Sequence, residues 1–198
     1  PGDNTGLTSN VSAVAVGDIN NDGLPDLFFS GGVASSALYL NEGDFRFREI
    51  THSAGIMDHA EGMADNEGVN FVDINGDGYL DIYILKTGIT GNFSRQQFTD
   101  HGANLLYINQ GDNTFVEQAS RYGLDLIGLS HTANFFDYDG DGDLDIYMVY
   151  TGEPGAAFSF PYYEAPPRSR WLNDQFLENT GDRFVDVREK AGLPYVRN

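Results

Sequence analysis

The chain has 198 residues, 40% hydrophobic and 13% aromatic, which is enough apolar material for one sizeable domain or an array of small units and too much for a disordered polymer. Thirty acidic residues against eleven basic ones give a formal charge of -19, which argues against direct nucleic-acid binding, since a phosphate-neutralising surface needs clustered Lys and Arg. The absence of cysteine excludes disulfide scaffolds and thiolate metal sites, and no apolar run is long enough to span a bilayer as a helix.

Gly6-Leu7 reads as the tail of a preceding unit. The first full unit opens with a predicted strand, Val14 to Asp18, followed by the nine-residue stretch Asp18-Ile-Asn20-Asn-Asp22-Gly23-Leu24-Pro-Asp26 and a second strand, Asp26 to Gly31. Leu38-Tyr-Leu-Asn41 and Phe47-Arg-Glu-Ile50 are strands three and four, joined by an Asn41-Glu-Gly43 hairpin, and Ala54-Gly-Ile56 closes the unit. The second unit matches it element for element: Asn70 to Asp73, the stretch Asp73-Ile-Asn75-Gly-Asp77-Gly78-Tyr79-Leu-Asp81, Asp81 to Leu85, Leu106 to Gly111, Phe115 to Gln118 and Tyr122-Gly-Leu124. The third has Asn134 to Asp137, Asp137-Tyr-Asp139-Gly-Asp141-Gly142-Asp143-Leu-Asp145, Asp145 to Val149, Phe176 to Gly181, Phe184 to Val187 and Ala191-Gly-Leu193.

Four short antiparallel strands per repeat, rich in Val, Ile, Tyr and Phe and separated by Gly, Asn and Asp turns, describe a propeller blade. The expected fold is therefore all-β: one β-propeller segment over 1–198, with blades at about 8–56, 66–124 and 130–193. Such rings close with about four to eight blades, so three blades form part of a larger or open propeller. Further blades or a partner chain are expected at the terminal edges. Helices should be single turns, near Arg95 to Phe98 and Val187 to Ala191.

The triplicated nonapeptide predicts a calcium loop. Oxygen side chains at positions 1, 3, 5 and 9, a glycine at 6 and a backbone carbonyl at 7 make the hard ligand set that Ca²⁺ takes. The ligands are Asp18, Asn20, Asp22, Leu24 and Asp26; Asp73, Asn75, Asp77, Tyr79 and Asp81; and Asp137, Asp139, Asp141, Asp143 and Asp145, giving three structural Ca²⁺ sites. Acidic turns also use Asp, Asn and Gly. A turn does not, however, need Asp at positions 1, 5 and 9 three times over. Position 12, where an EF-hand carries a bidentate Glu, is Phe29, Ile84 or Met148 inside a strand. The third loop has Asp139 where the others have Asn20 and Asn75, and should bind most tightly. Several all-oxygen loops favour an extracellular or cell-surface setting, where sites of modest affinity stay loaded.

The extra length of the second and third repeats sits between strands two and three: 15 residues from Asp26 to Asn41, 28 from Asp81 to Asn109 and 34 from Asp145 to Asn179, while the third hairpin is one residue shorter than the others. The insertions Thr87 to Ala103 and Thr151 to Asn173 are expected side by side on one face, where repeat proteins bind. The third concentrates Phe160, Tyr162, Tyr163, Arg168, Arg170 and Trp171, which suit contact with a protein or a sugar ring, or packing on the insertion's own blade. Catalytic signals are weak. His52, His59, His101 and His131 occupy unrelated repeat positions, without a nucleophile motif or a phosphate loop.

Val-Asp73-Ile-Asn-Gly-Asp77-Gly-Tyr-Leu-Asp81-Ile-Tyr and Leu-Tyr107-Ile-Asn-Gln-Gly-Asp-Asn-Thr-Phe115 resemble the FG-GAP-like, or VCBS, repeat family of calcium-binding β-propellers, especially its bacterial branch. The family includes the integrin α-subunit head and many secreted bacterial proteins. The Phe-Gly and Gly-Ala-Pro signatures of the integrin repeats are missing, so integrin-type function is not implied. The resemblance implies a non-catalytic, calcium-stabilised module of an exported or cell-surface protein that binds a protein or glycan partner, or assembles, through its insertions. The alternatives are a propeller-type polysaccharide lyase or glycoside-acting enzyme with structural calcium, and a structural subunit of an outer-surface complex.

Overall fold

The computed structural model describes residues 13–31, 35–57, 66–86, 89–90, 97–98, 102–128, 130–150 and 174–193. The first sheet is a meander of β1 (Val14–Gly17), β2 (Asp26–Phe29), β3 (Ala37–Asn41) and β4 (Phe47–Glu49). The second is formed by β5 (Asn66–Val72), β6 (Asp81–Lys86), β9 (Leu105–Asn109) and β10 (Phe115–Glu117), and the third by β11 (Ser130–Phe136), β12 (Asp145–Tyr150), β13 (Gln175–Asn179) and β14 (Phe184–Asp186). Every pairing is antiparallel between sequence neighbours, apart from β6 with β9. Between those two strands β7 (Ile89–Thr90) and β8 (Gln97–Phe98) form a separate two-stranded hairpin. These are three four-stranded propeller-type blades. β5 lies between β1 and β11, so the first strands of the blades are neighbours.

The period-2 alternation of each strand divides its side chains between two neighbours. β6 is buried throughout because it has a blade on each side. Ile82 and Ile84, with Tyr107 and Phe115, pack on Phe28, Leu38 and Leu40 of the first blade. Tyr83 and Leu85, with Leu106 and Ile108, pack on Ile146, Met148 and Leu177 of the third. Each blade thus has a leading face toward the next blade and a trailing face toward the one before. Fully burying side chains of this size contributes on the order of 1.5–3 kcal/mol each, so the blades are held mainly by these two interfaces.

After each fourth strand the chain makes one tight turn, closed by the Ala54 N–H to Ile50 O, the Tyr122 N–H to Gln118 O and the Ala191 N–H to Val187 O. Only the second extends into a helix, α1 (Ala119–Tyr122), which ends at the left-handed Gly123. The single-turn helix expected at Val187 to Ala191 is a hydrogen-bonded turn and not a helix. Of the helix expected near Arg95 to Phe98, Gln97–Phe98 is instead the strand β8, paired with Ile89–Thr90, and Arg95 and Gln96 lie outside the described residues. Among the described residues no helix is long and apolar enough to cross a membrane.

Candidate metal centres

Each nonapeptide joins the first strand of a blade to the second, and its fold follows from the position-1 aspartate. Asp18 accepts the Asp22 and Gly23 N–H groups (3.1 and 2.7 Å), and Asp73 accepts those of Asp77 and Gly78 (3.1 and 2.9 Å). Asp137 accepts the Gly140 and Gly142 N–H groups (2.7 and 3.1 Å). The wrap requires a left-handed residue at position 6, and Gly23, Gly78 and Gly142 have φ of 87°, 88° and 99°. Asp22, Asp77 and Asp141 at position 5 accept the position-7 N–H, which turns the position-7 residues Leu24, Tyr79 and Asp143 back toward the next strand.

The position-9 aspartates lie at the head of the second strands and are fully buried. In all three blades one carboxylate oxygen accepts the position-2 N–H, from Ile19, Ile74 or Tyr138 at 3.0 Å, and the other accepts the N–H of the hairpin asparagine, Asn41, Asn109 or Asn179, at 2.8 Å. Asp26, Asp81 and Asp145 are thus hinges between the loop, the second strand and the third-to-fourth-strand hairpin. Two oxygens offer about four lone-pair directions, so these two bonds leave room for an ion.

The charge environment favours a cation. Burial pushes the Asp81 carboxyl up to about 7 against the pull of the Asn109 and Ile74 N–H groups, and the charges of Asp77 and Asp73 add to the rise. Asp26 is raised by the same causes. In the first two loops Asn20 and Asn75 donate to Asp22 and Asp77 (3.0 and 2.9 Å), which relieves part of the crowding. The third loop has an acid there instead. Asp139 is raised by desolvation, and the charges of Asp141 and Asp145 push it further. Asp143 is pushed up to about 6 by desolvation and by Asp141 and Asp145, and its Oδ1 is buried without a hydrogen-bond partner. Ligand atoms of Asp137, Asp139 and Asp145 lie within 4.8 Å of one another. The oxygen set of Asp137, Asp139 and Asp145 fits a hard divalent cation.

The loops are also tied across blades. Asn109 Nδ2 donates to Ile19 O of the first loop at 2.8 Å and to Leu80 O at 3.1 Å, while its Oδ1 accepts the Gly111 N–H at 2.9 Å. Asn179 repeats the pattern more weakly toward Ile74 O (3.5 Å), and Asn21 Nδ2 reaches Gly78 O in the second loop (2.9 Å). The sequence shows Asn-x-Gly as a hairpin signal; the cross-blade use of the same side chain has no local signature.

The insertions leave from the opposite end of the blades. That end is held by buried polar groups absent from the sequence-derived site list. Asn104 Oδ1 accepts the Lys86 N–H (2.8 Å), and its amide donates to Tyr83 Oη (3.0 Å). Where the third insertion rejoins the blade, the Asp174 carboxylate accepts the Tyr150 N–H (3.1 Å) and the Tyr147 hydroxyl (3.2 Å). Arg188 is bound to the Asp186 carboxylate (2.6 Å) and to Asp174 O (2.7 Å). Phe160, Tyr162, Tyr163, Arg168, Arg170 and Trp171 lie outside the described residues, as do His59 and His101. His52 and His131 are exposed and sit in different blades.

The FG-GAP-like repeat family matches residues 18–84 and 93–148. No curated protein matches the chain at a significant level. Among solved structures, a lectin of Agrocybe aegerita described as recognising non-reducing terminal N-acetylglucosamine is similar, with a TM-score of 0.52 and 17% identity over 95% of this chain and 42% of its own. That likeness is one of fold, and the chain spans less than half the length of that structure. The two family matches cover more than half of the chain and hold the first two acidic loops together with the third, so the protein belongs to the FG-GAP-like repeat family.

Proposed function

We propose that the protein is a calcium-stabilised β-propeller module of an exported or cell-surface protein, of the bacterial calcium-binding branch of its family. It binds a protein or glycan partner through the blade end from which the unequal insertions emerge. The observation that supports the metal reading is the third loop, where ligand atoms of Asp137, Asp139 and Asp145 lie within 4.8 Å of one another on a hydrogen-bonded framework that the first two loops repeat. Asp18, Asn20, Asp22 and Asp26 with the Leu24 carbonyl would hold the first ion, and Asp73, Asn75, Asp77 and Asp81 with the Tyr79 carbonyl the second. Asp137, Asp139, Asp141 and Asp145 with the Asp143 carbonyl would hold the third. A bound ion compensates crowded carboxylates and adds its binding free energy to folding. Equivalent copies of one loop serve a scaffold better than a reaction, for which a single site with an open position is usual. The lectin of like fold supports a glycan as one class of partner.

The test is thermal unfolding in EGTA and in Ca²⁺, with Asp77→Ala and Asp141→Ala variants. An ion at about a hundred times its dissociation constant adds about 2.7 kcal/mol per site, so Ca²⁺ should raise the melting temperature and each variant should lose part of the rise. Identical melting in both buffers would refute a structural ion. A glycan array probed with the full chain and with Trp171→Ala tests the partner reading.

A further inference from the structure

We propose that the first and second acidic loops take up cations as a coupled pair, each raising the affinity of the other, while the third loop fills independently. The proposal rests on the calcium reading above and adds the coupling to it. Among the described residues, hydrogen bonds run between the two ligand sets by two routes. The inner route joins the position-9 carboxylates in three steps. Asp81 Oδ1 accepts the Asn109 N–H at 2.8 Å, Asn109 Nδ2 donates to Ile19 O at 2.8 Å, and the Ile19 N–H donates to Asp26 Oδ2 at 3.0 Å. All four residues are buried, so water does not replace a broken link. The outer route starts at Asn21, position 4 of the first loop, whose Nδ2 donates to Gly78 O of the second at 2.9 Å. The Gly78 N–H in turn donates to Oδ2 of Asp73, the position-1 ligand, at 2.9 Å. Asn21 has φ 58°, where the second and third loops carry Gly76 and Gly140 at 72° and 79°. A glycine would hold that left-handed backbone with less strain, so the reach to Gly78 O is what the asparagine side chain adds.

Between the second and third loops both routes fail. Position 4 of the second loop is Gly76, which has no side chain to cross the gap, and the inner step from Asn179 Nδ2 to Ile74 O is stretched to 3.5 Å. A cation in the second loop would draw Asp73, Asp77 and Asp81 onto one centre. Asp81 and Asp73 would then hold Asn109 and Gly78 where they fix Ile19 and Asn21. The first loop has less freedom left to lose when its own ion binds, and the effect is reciprocal, because a coupling free energy belongs to both sites equally.

The position-6 glycines give each loop its own reporter, because their N–H groups donate to the position-1 carboxylates. The experiment titrates the chelator-stripped full chain with Ca²⁺ and follows the amide resonances of Gly23, Gly78 and Gly142 by NMR. Gly23 and Gly78 should move on one curve with a Hill coefficient of about 1.5, and Gly142 on a separate, non-cooperative curve. Asp77→Ala should raise the Gly23 midpoint about 5-fold or more, whereas Asp141→Ala should leave it in place. Asn21→Gly supplies the residue type found at this position in the other two loops and removes the outer route alone. It should keep the fold, lower the Hill coefficient and raise both midpoints by a smaller factor. Independent curves at Gly23 and Gly78, or a Gly23 midpoint unmoved by Asp77→Ala, would overturn the coupling and leave the metal reading standing. One curve shared by all three glycines would overturn it as well, since the third loop lacks the links. No response at any of the three up to about 10 mM Ca²⁺ would refute the metal reading, and the coupling with it.

Discussion

Asn109→Ala removes the cross-blade clip and little else. The Asn109 side chain is 3% exposed and makes three bonds, from Nδ2 to Ile19 O (2.8 Å) and Leu80 O (3.1 Å), and from the Gly111 N–H to Oδ1 (2.9 Å). Truncation leaves one buried carbonyl, one part-buried carbonyl and one hairpin N–H without this partner, and a buried group left unsatisfied costs about 1–3 kcal/mol. Because the hairpin N–H can turn to water, the expected loss is roughly 2–4 kcal/mol, or about 5–15 °C in melting temperature for a chain of this size. Asn41→Ala is the control built into the repeat. It loses the Pro25 O and Gly43 N–H bonds of a partly exposed side chain and should cost about 0.5–1.5 kcal/mol. Circular dichroism melts of both variants in EGTA isolate the cross-blade term from any ion. If Asn109→Ala costs no more than Asn41→Ala, the bond to Ile19 contributes nothing and the clip reasoning fails.

Three further outcomes are expected. Phe115→Ala should cost about 3–5 kcal/mol and Phe47→Ala far less, because one ring is buried between blades and the other is open, as denaturant titration would show. Gly55→Ala should destabilise more than Gly181→Ala: both positions have left-handed φ (77° and 82°), at about 1–2 kcal/mol for an L side chain, but only at Gly55 would a Cβ stand 3.1 Å from a backbone oxygen, that of Phe115. Tyr83→Phe should cost about 1–3 kcal/mol by unpairing buried Asn104 Nδ2, whereas Tyr147→Phe, less buried, should be milder in the same melts.

The blades were legible in the sequence because each strand pair carries its own local marks: β-branched and aromatic runs, a nonapeptide with fixed oxygen spacing, and Asn-x-Gly. The loop hydrogen bonds from Asp18, Asp73 and Asp137 span three to five residues, so spacing alone implies them. What spacing cannot show is a partner far along the chain. Asn109 and Ile19 are 90 positions apart, and nothing around Asn109 distinguishes a clip from a simple hairpin cap. Arg188 and Asn104 look like isolated polar residues in ordinary turns until the structure places Asp174 and Tyr83 beside them. The helix expected at Arg95 to Phe98 has a different, local reason: Gln97–Phe98 pair as a strand with nearby Ile89–Thr90, and such pairing overrides weak helical preference.

The two ends of the blades differ in how closely the three repeats agree. At the loop end every repeated polar residue is committed: position 1 wraps the loop, position 9 joins loop to hairpin, and the hairpin asparagine of the second and third blades reaches back to the blade before. A partner binding there would have to compete with bonds that hold the fold, and the same interaction would be offered three times over. At the other end the repeats diverge in length, and the residues that close each connection are different: Ser36 accepting the Gly31 N–H in the first blade, Asn104 in the second, Asp174 with Arg188 in the third. Those groups brace the bases of unequal insertions without constraining what the insertions carry. The proposed recognition needs a surface that is unique and can change without unfolding the scaffold, and among the described residues it is the insertion end of the blades at which the three repeats differ.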